Sequence, residues 1–170
     1  SVILGGSSTL SINYTGVGGA FNPTFGQVFT LINNDSTDAV TGTFSGLAAG
    51  SVVTIDGKQL KIYYDDGTDS NDVVLVSNNG TVTGPLYVNN QWTFAATVDG
   101  DLELGGAQTA FVGVNAFKDV ADLLTAQSSY TGDVILNGGT YASALLAGGG
   151  DVSLKIVRDL TDAEPNVTIQ

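Results

Sequence analysis

Short apolar runs alternate with turn signals along most of the chain, and the period is that of strands rather than helices. Val28-Phe29-Thr30-Leu31-Ile32 reads as a strand, followed by a polar loop at Asn33–Thr37. Val40–Phe44 reads as a short strand, and Ser45–Gly50 as a turn. Ser51–Ile55 and Gln59–Tyr64 are strands on either side of Asp56-Gly57. That dipeptide is a strong hairpin signal, because both central residues of a type I′ turn need positive φ. Asp72–Val76 closes the stretch as a further strand after an acidic loop from Asp65 to Asn71.

The flanks follow the same rhythm. Ser1–Asn13 holds an apolar run, Val2-Ile3-Leu4, a Gly-Gly-Ser-Ser turn and an alternating segment with Leu10 and Ile12 on one face. Such short strands between Gly-rich corners suit β-solenoid coils. Beyond a polar connector, Leu86–Val88, Trp92–Phe94 and Val98–Leu104 read as short strands with tight turns at Asn89-Asn90 and Asp99-Gly100. One helix is expected, over about 116–127. Phe117, Val120, Ala121 and Leu124 make one apolar stripe, with Asn115 as its cap and the covering of an open core end as its role. Asp151–Val157 and Asn166–Gln170 read as strands, the latter with Val167 and Ile169 inward. The expected fold is therefore all-β, with β-solenoid or β-sandwich-like strands and one short capping helix. Two modules are expected: 1–77, a solenoid end plus hairpin, and 78–170, a second β module leading into a parallel β-helix.

Composition narrows the function. In 170 residues, 42% are hydrophobic and only 13% charged, with 23 glycines and no collagen-like period. A core can form, and the surface is largely Ser, Thr, Asn and Gly. The net charge of −12 argues against nucleic acid and anionic lipid, both of which need a basic surface. With no Cys, Met or His, the usual ligands and bases of zinc, haem, iron–sulfur and Ser-His-Asp chemistry are missing. No apolar run approaches the ~18 residues of a helical membrane span. The chain lacks a start Met and a signal-like opening, so Ser1 is expected to be a mature or excised end.

The stretch VFTLINNDSTDAVTGTF…GLAAGSVVTIDGKQLKIYYDDGTDSNDVVLV resembles a module of very large bacterial surface and exported proteins. These are autotransporter-like and adhesin-like β-solenoid chains, frequent in planctomycetes and cyanobacteria. The match runs through Phe29–Ile32, Asp35, Thr37–Phe44, Gly46, Leu47, Gly50, Gly57, Ile62, Tyr64, Gly67 and Asn71–Leu75. Where the family has a GGDGND loop, this chain has Asp66-Gly67-Thr68-Asp69-Ser70-Asn71-Asp72. A second stretch resembles the opening of a right-handed parallel β-helix in the same proteins: Phe117, Ala121, Gly132, Val134–Gly139, Thr140, Tyr141 and Leu146. The resemblance implies an extracellular, cell-surface location and carries no catalytic motif.

Three sets of residues are candidates for function. Asp65, Asp66, Asp69 and Asp72, with Asn71, form the densest carboxylate cluster, and oxygen ligands in a Gly-containing loop suit Ca²⁺. A solvated hairpin loop is the preferred reading, and no cofactor is required. Tyr87, Trp92 and Tyr141 are the aromatics an adhesin module would offer to surface glycans. Asp99, Asp101 and Glu103 follow a turn and lack an aromatic cleft, so no enzyme is expected from them; a β-helix lyase would need a row of carboxylates with Arg158. The third set is the chain ends. Asn166-Val167-Thr168-Ile169-Gln170 followed by Ser1-Val2-Ile3-Leu4 reads as uninterrupted solenoid text. The expected partner is thus another copy, in a homopolymer or tandem array, with Val2, Ile3, Leu4, Val167 and Ile169 at a head-to-tail contact. A structural subunit of a bacterial extracellular fibre, sheath or surface layer is the leading expectation, a glycan-binding adhesin module is the alternative, and a β-helix polysaccharide lyase fragment ranks third.

Overall fold

The computed structural model describes residues 1–16, 18–34, 38–66, 71–92, 97–100, 109–137, 139–141, 153–156 and 167–169. Among these the protein is built from strands with one short helix. They fall into two compact units: Ser1–Thr81 together with Thr97, and the remaining described residues from Val82 on.

The first unit carries an antiparallel sheet of β1 (Val28–Ile32), β2 (Val52–Ile55), β3 (Lys58–Asp66) and β4 (Asp72–Ser77), in the order β1-β4-β3-β2. The β2–β3 hairpin turns on Asp56 and Gly57 at φ 48° and 75°, the left-handed pair that a type I′ turn demands. One sheet face buries Ile55, Leu60, Ile62, Val73 and Leu75. Leu10, Phe21, Val40, Phe44 and Leu47 pack onto that face from the connecting segments. The Tyr64 hydroxyl locks the last of these in place. It accepts from the Phe44 N–H at 3.1 Å and donates to the Leu47 carbonyl at 2.7 Å, spanning the Ser45-Gly46 turn. On the other face, Val28, Val76, Lys61 and Val52 line up in one row across the sheet. Val76 is buried at its centre, whereas Val28 and Val52, on the two edge strands, are 40% and 49% exposed.

Val40–Phe44 does not form the expected strand; only Thr41 makes a bridge, parallel to Ile3. The Thr41 N–H donates to the Val2 carbonyl at 2.9 Å, and the Leu4 N–H to the Thr41 carbonyl at 2.8 Å. Gly42 then leaves the extended region at φ +84°, and a Cβ there would collide with the Leu4 carbonyl oxygen. The β-branched run is therefore broken at a position that needs both glycine's backbone freedom and its lack of a side chain.

The second unit is organised by parallel pairing. Its strands are β5 (Leu86–Val88), β6 (Thr97–Asp99, of which Thr97 groups with the first unit), β7 (Thr109–Phe111), β8 (Ala116–Phe117), β9 (Asp133–Leu136), β10 (Gly139–Tyr141), β11 (Ser153–Ile156) and β12 (Val167–Ile169). A four-stranded sheet runs β11-β9-β5-β8 with every neighbour parallel, while β10 pairs parallel with β12 and β6 pairs with β7. As expected of parallel strands, both faces are covered. Leu86, Val88, Val134 and Leu136 pack with Phe117, Val120 and Leu123 on one side. Tyr87 and Ile135 pack with Ala110, Val112 and Ala116 on the other.

The helix α1 spans Val120–Ala126, shorter than the expected 116–127. Ala116 and Phe117 belong instead to β8, beside Tyr87 and Val88. Asp119, not Asn115, is the cap: it is extended (φ −147°, ψ 167°), and its carboxylate accepts from the Asp122 N–H at 2.7 Å. The Asn115 side chain accepts from the Phe111 N–H at 2.8 Å, within the preceding turn. Phe117 shares a core with Val120 and Leu123, so its apolar spacing is satisfied from a strand. The parallel pairings are those a β-helix would need, but among the described residues the sheets are not closed into a solenoid.

Candidate functional site

The acidic stretch begins where β3 runs out. A register shift separates Tyr63 from Asp66, and Asp66 stands opposite Asp72 at the start of β4. Asp65 is half-buried and accepts from both the N–H and the hydroxyl of Thr97, at 3.3 and 3.4 Å. Burial pushes its carboxyl above the usual carboxylate range, and the Thr97 bonds partly offset this. The Asp72 carboxylate accepts from the Asn34 N–H at 2.8 Å, and the Asn71 N–H donates to the Asp66 carbonyl at 2.9 Å. Two of the four aspartates thus orient their carboxylates toward the protein's own backbone. Asp69 lies outside the described residues. Among the described residues no group of three or more acidic, His or Cys side chains is placed to hold a metal ion.

Two of the three aromatic candidates are drawn inward. Tyr87 is only 7% exposed and belongs to the core of the parallel sheet, so it is not the open platform expected of it. Its ring lies against Gly100, where a Cβ would come within 2.7 Å of two ring atoms. Trp92 is half-buried and packs on the same cluster. Tyr141 lies in β10, and its side chain, like those of Asp99, Asp101, Glu103 and Arg158, falls outside the described residues.

The chain ends behave differently from each other. Val2 and Leu4 are half-buried by the chain itself and hold Thr41 through their backbone, while Ile3 projects outward and is 73% exposed. Val167 and Ile169 lie in β12, whose backbone pairs with Gly139 and Tyr141 of β10. The Ser1 ammonium reaches the Asp38 carboxylate at 3.6 Å, an exposed pair of small energetic weight.

Sequence reasoning missed two residues that the structure makes prominent. Asn89 and Asn137 directly follow β5 and β9, in register with one another, and both are buried. The Asn89 side chain accepts from the Gln91 N–H at 2.9 Å. The Asn137 side-chain amide donates to the Gly100 carbonyl at 3.1 Å, and its backbone N–H to the Val88 carbonyl at 2.9 Å. Asparagine at the same step past two adjacent strands was the available signal, hidden because Asn89-Asn90 and Asn137-Gly138 also read as turns. These buried amides terminate the parallel ladder.

Comparison with protein-family models, curated proteins and solved structures finds no match for this chain.

Proposed function

We propose that this protein is a structural building block of a bacterial extracellular fibre, sheath or surface coat, joined end to end by strand stacking. The observation that carries the reading is the succession in the second unit. β9 and then β10 pair with β11 and then β12, in the same order and the same sense. Two consecutive strands laid parallel on the next two are the repeating relation of a stacked coil, and the open ends of such coils are buried by a cap or by a further coil. At the other end, Val2–Leu4 also lies parallel to its neighbour at Thr41 and leaves Ile3 exposed. The acidic, cysteine-free composition suits a secreted array of such units.

Its test is assembly. Sedimentation velocity and negative-stain microscopy of the purified chain should show elongated species that grow with concentration. Ile3→Asp should abolish them while leaving the melting temperature of the monomer unchanged, because Ile3 touches solvent in the single chain. Ile169→Asp should disrupt the same contact from the other side. An Ile3→Asp protein that assembles like the parent overturns the end-to-end arrangement.

A further inference from the structure

The antiparallel sheet of the first unit has two edges that fit one another. Along β1 the backbone alternates between groups that bond to β4 and groups that point away. Gln27 accepts from the Ser77 N–H, which puts Gln27 and Phe29 on the bonded side and leaves the N–H and C=O of Val28 and Thr30 pointing outward. On β2, Ser51 accepts from the Ile62 N–H, and the two-residue turn bonds Ile55 to Lys58. Ser51, Val53 and Ile55 therefore face β3, and the N–H and C=O of Val52 and Thr54 point outward. Among the described residues no other backbone pairs with these outer groups.

Each edge thus offers a Val-x-Thr triplet, Val28-Phe29-Thr30 and Val52-Val53-Thr54, whose Val and Thr side chains are exposed. Neither strand carries a charge or a proline, two of the usual means by which an edge is kept from pairing. The sheet alternates in direction across four strands, so β1 and β2 run opposite ways.

We propose that β1 of one copy pairs with β2 of a second copy in an antiparallel ladder, making a continuous sheet from copy to copy. One register satisfies every constraint at once: Val28 opposite the second copy's Thr54, Phe29 opposite Val53, and Thr30 opposite Val52. In that register all the outward backbone groups meet as bonded pairs. Phe29 and Val53, both packed on the core face, continue that face across the junction. The ladder stops at Thr30 because the register of β1 shifts between Thr30 and Ile32. The contact is heterologous and repeats by translation, so it propagates instead of closing as a dimer. It is independent of the chain ends and of the end-to-end contact proposed above. The net charge of −12 opposes it at low ionic strength, and salt favours it.

The chain has no cysteine, so a crosslink can be placed cleanly. Val28→Cys/Thr54→Cys, oxidised at about 0.5 M salt, where the Debye length falls to a few Å, should give a ladder of disulfide-linked multimers on a non-reducing gel. Val28→Cys/Val52→Cys, displaced by two residues, should give at least several-fold less. The ladder should persist when Ile3→Asp is added, which separates this contact from the end-to-end one. Val52→Lys/Thr54→Lys, at exposed positions, should keep the parent melting temperature and, in an otherwise cysteine-free chain, lose self-association that survives Ile3→Asp. Absence of a multimer ladder from the in-register pair, or equal ladders from both cysteine pairs, overturns the proposal.

Discussion

Tyr64→Phe removes one oxygen atom and tests whether the segment from Phe44 to Leu47 is held by that hydroxyl. The ring stays, so its packing in the first core and its tilted contact with Phe44, at 6.4 Å between centroids, are kept. What is lost is a pair of hydrogen bonds, at 3.1 Å from the Phe44 N–H and 2.7 Å to the Leu47 carbonyl. A buried hydrogen bond contributes about 1 kcal/mol net, and a stranded buried partner costs about 1–3 kcal/mol. Both partners here are only partly buried, so water recovers some of the loss, and about 2 kcal/mol is expected. For a unit of this size that lowers the melting temperature by about 8–16 °C. Far-UV circular dichroism during urea unfolding is the suitable readout, because Trp92, the only tryptophan, lies in the second unit and reports on that one instead. Tyr14→Phe is the control: its hydroxyl donates to the Gly19 carbonyl at 3.2 Å in an exposed loop, and less than about 0.5 kcal/mol is expected. If Tyr64→Phe costs no more than Tyr14→Phe, the hydroxyl clamp does not hold the turn.

Two further predictions concern charge. Burial, then the neighbouring Asp65 carboxylate, pushes the Tyr63 hydroxyl well above its ordinary value of 10.0, so the folded chain holds this proton where the unfolded chain releases it. Stability from this group is complete below about pH 10 and is lost as pH rises further, so urea midpoints should fall progressively as pH is raised above about 10; a flat profile above that pH, or an equal fall in Tyr63→Phe, refutes it. A chelator such as EDTA should leave the melting curve unchanged, because Asp65 and Asp72 accept from Thr97 and Asn34; a lower melting temperature in chelator would restore a calcium role for the Asp65–Asp72 stretch.

The antiparallel unit was largely legible in the sequence, and the parallel one was not. Asp56-Gly57 fixes a turn within two residues, and the alternation on either side then sets the register, so β1, β2 and β3 could be placed closely. The same alternation overreached at Val40–Phe44, where Gly42 diverts the backbone to clear Leu4, a contact with the far end of the unit. At Phe117 the periodicity was real but ambiguous. An apolar stripe marks which residues enter a core, and it does not mark where the chain changes from strand to helix. Asp119 marked that change, and Asn115 was a competing cap of equal quality. For the pairing of β5 with β8 and β9 no local signal exists, because a parallel partner is always distant in the chain and no turn residue specifies it. The exposure expected of Tyr87 was missed for a related reason: its strand was readable, but that Ala110, Val112 and Ala116, distant in the chain, would pack on its ring was not.

The placement of β5 between β8 and β9 governs how the chain reaches its folded state. Val88 must find both Phe117 and Leu136, and each encounter closes a long loop before any ladder bond is gained. The β2–β3 hairpin, by contrast, closes over two residues. Rates follow this separation, so the β2–β3 hairpin forms early, while the pairing of β5 with β9, like that of β1 with β4 across an equal stretch of chain, waits on a distant partner. During synthesis the order is stricter still, since Leu86-Tyr87-Val88 emerges well before its partner β9 has been made. For that interval three wholly apolar-faced residues have no ladder to join, and expression at low temperature or low rate is the condition under which this chain best avoids joining another molecule's strands instead.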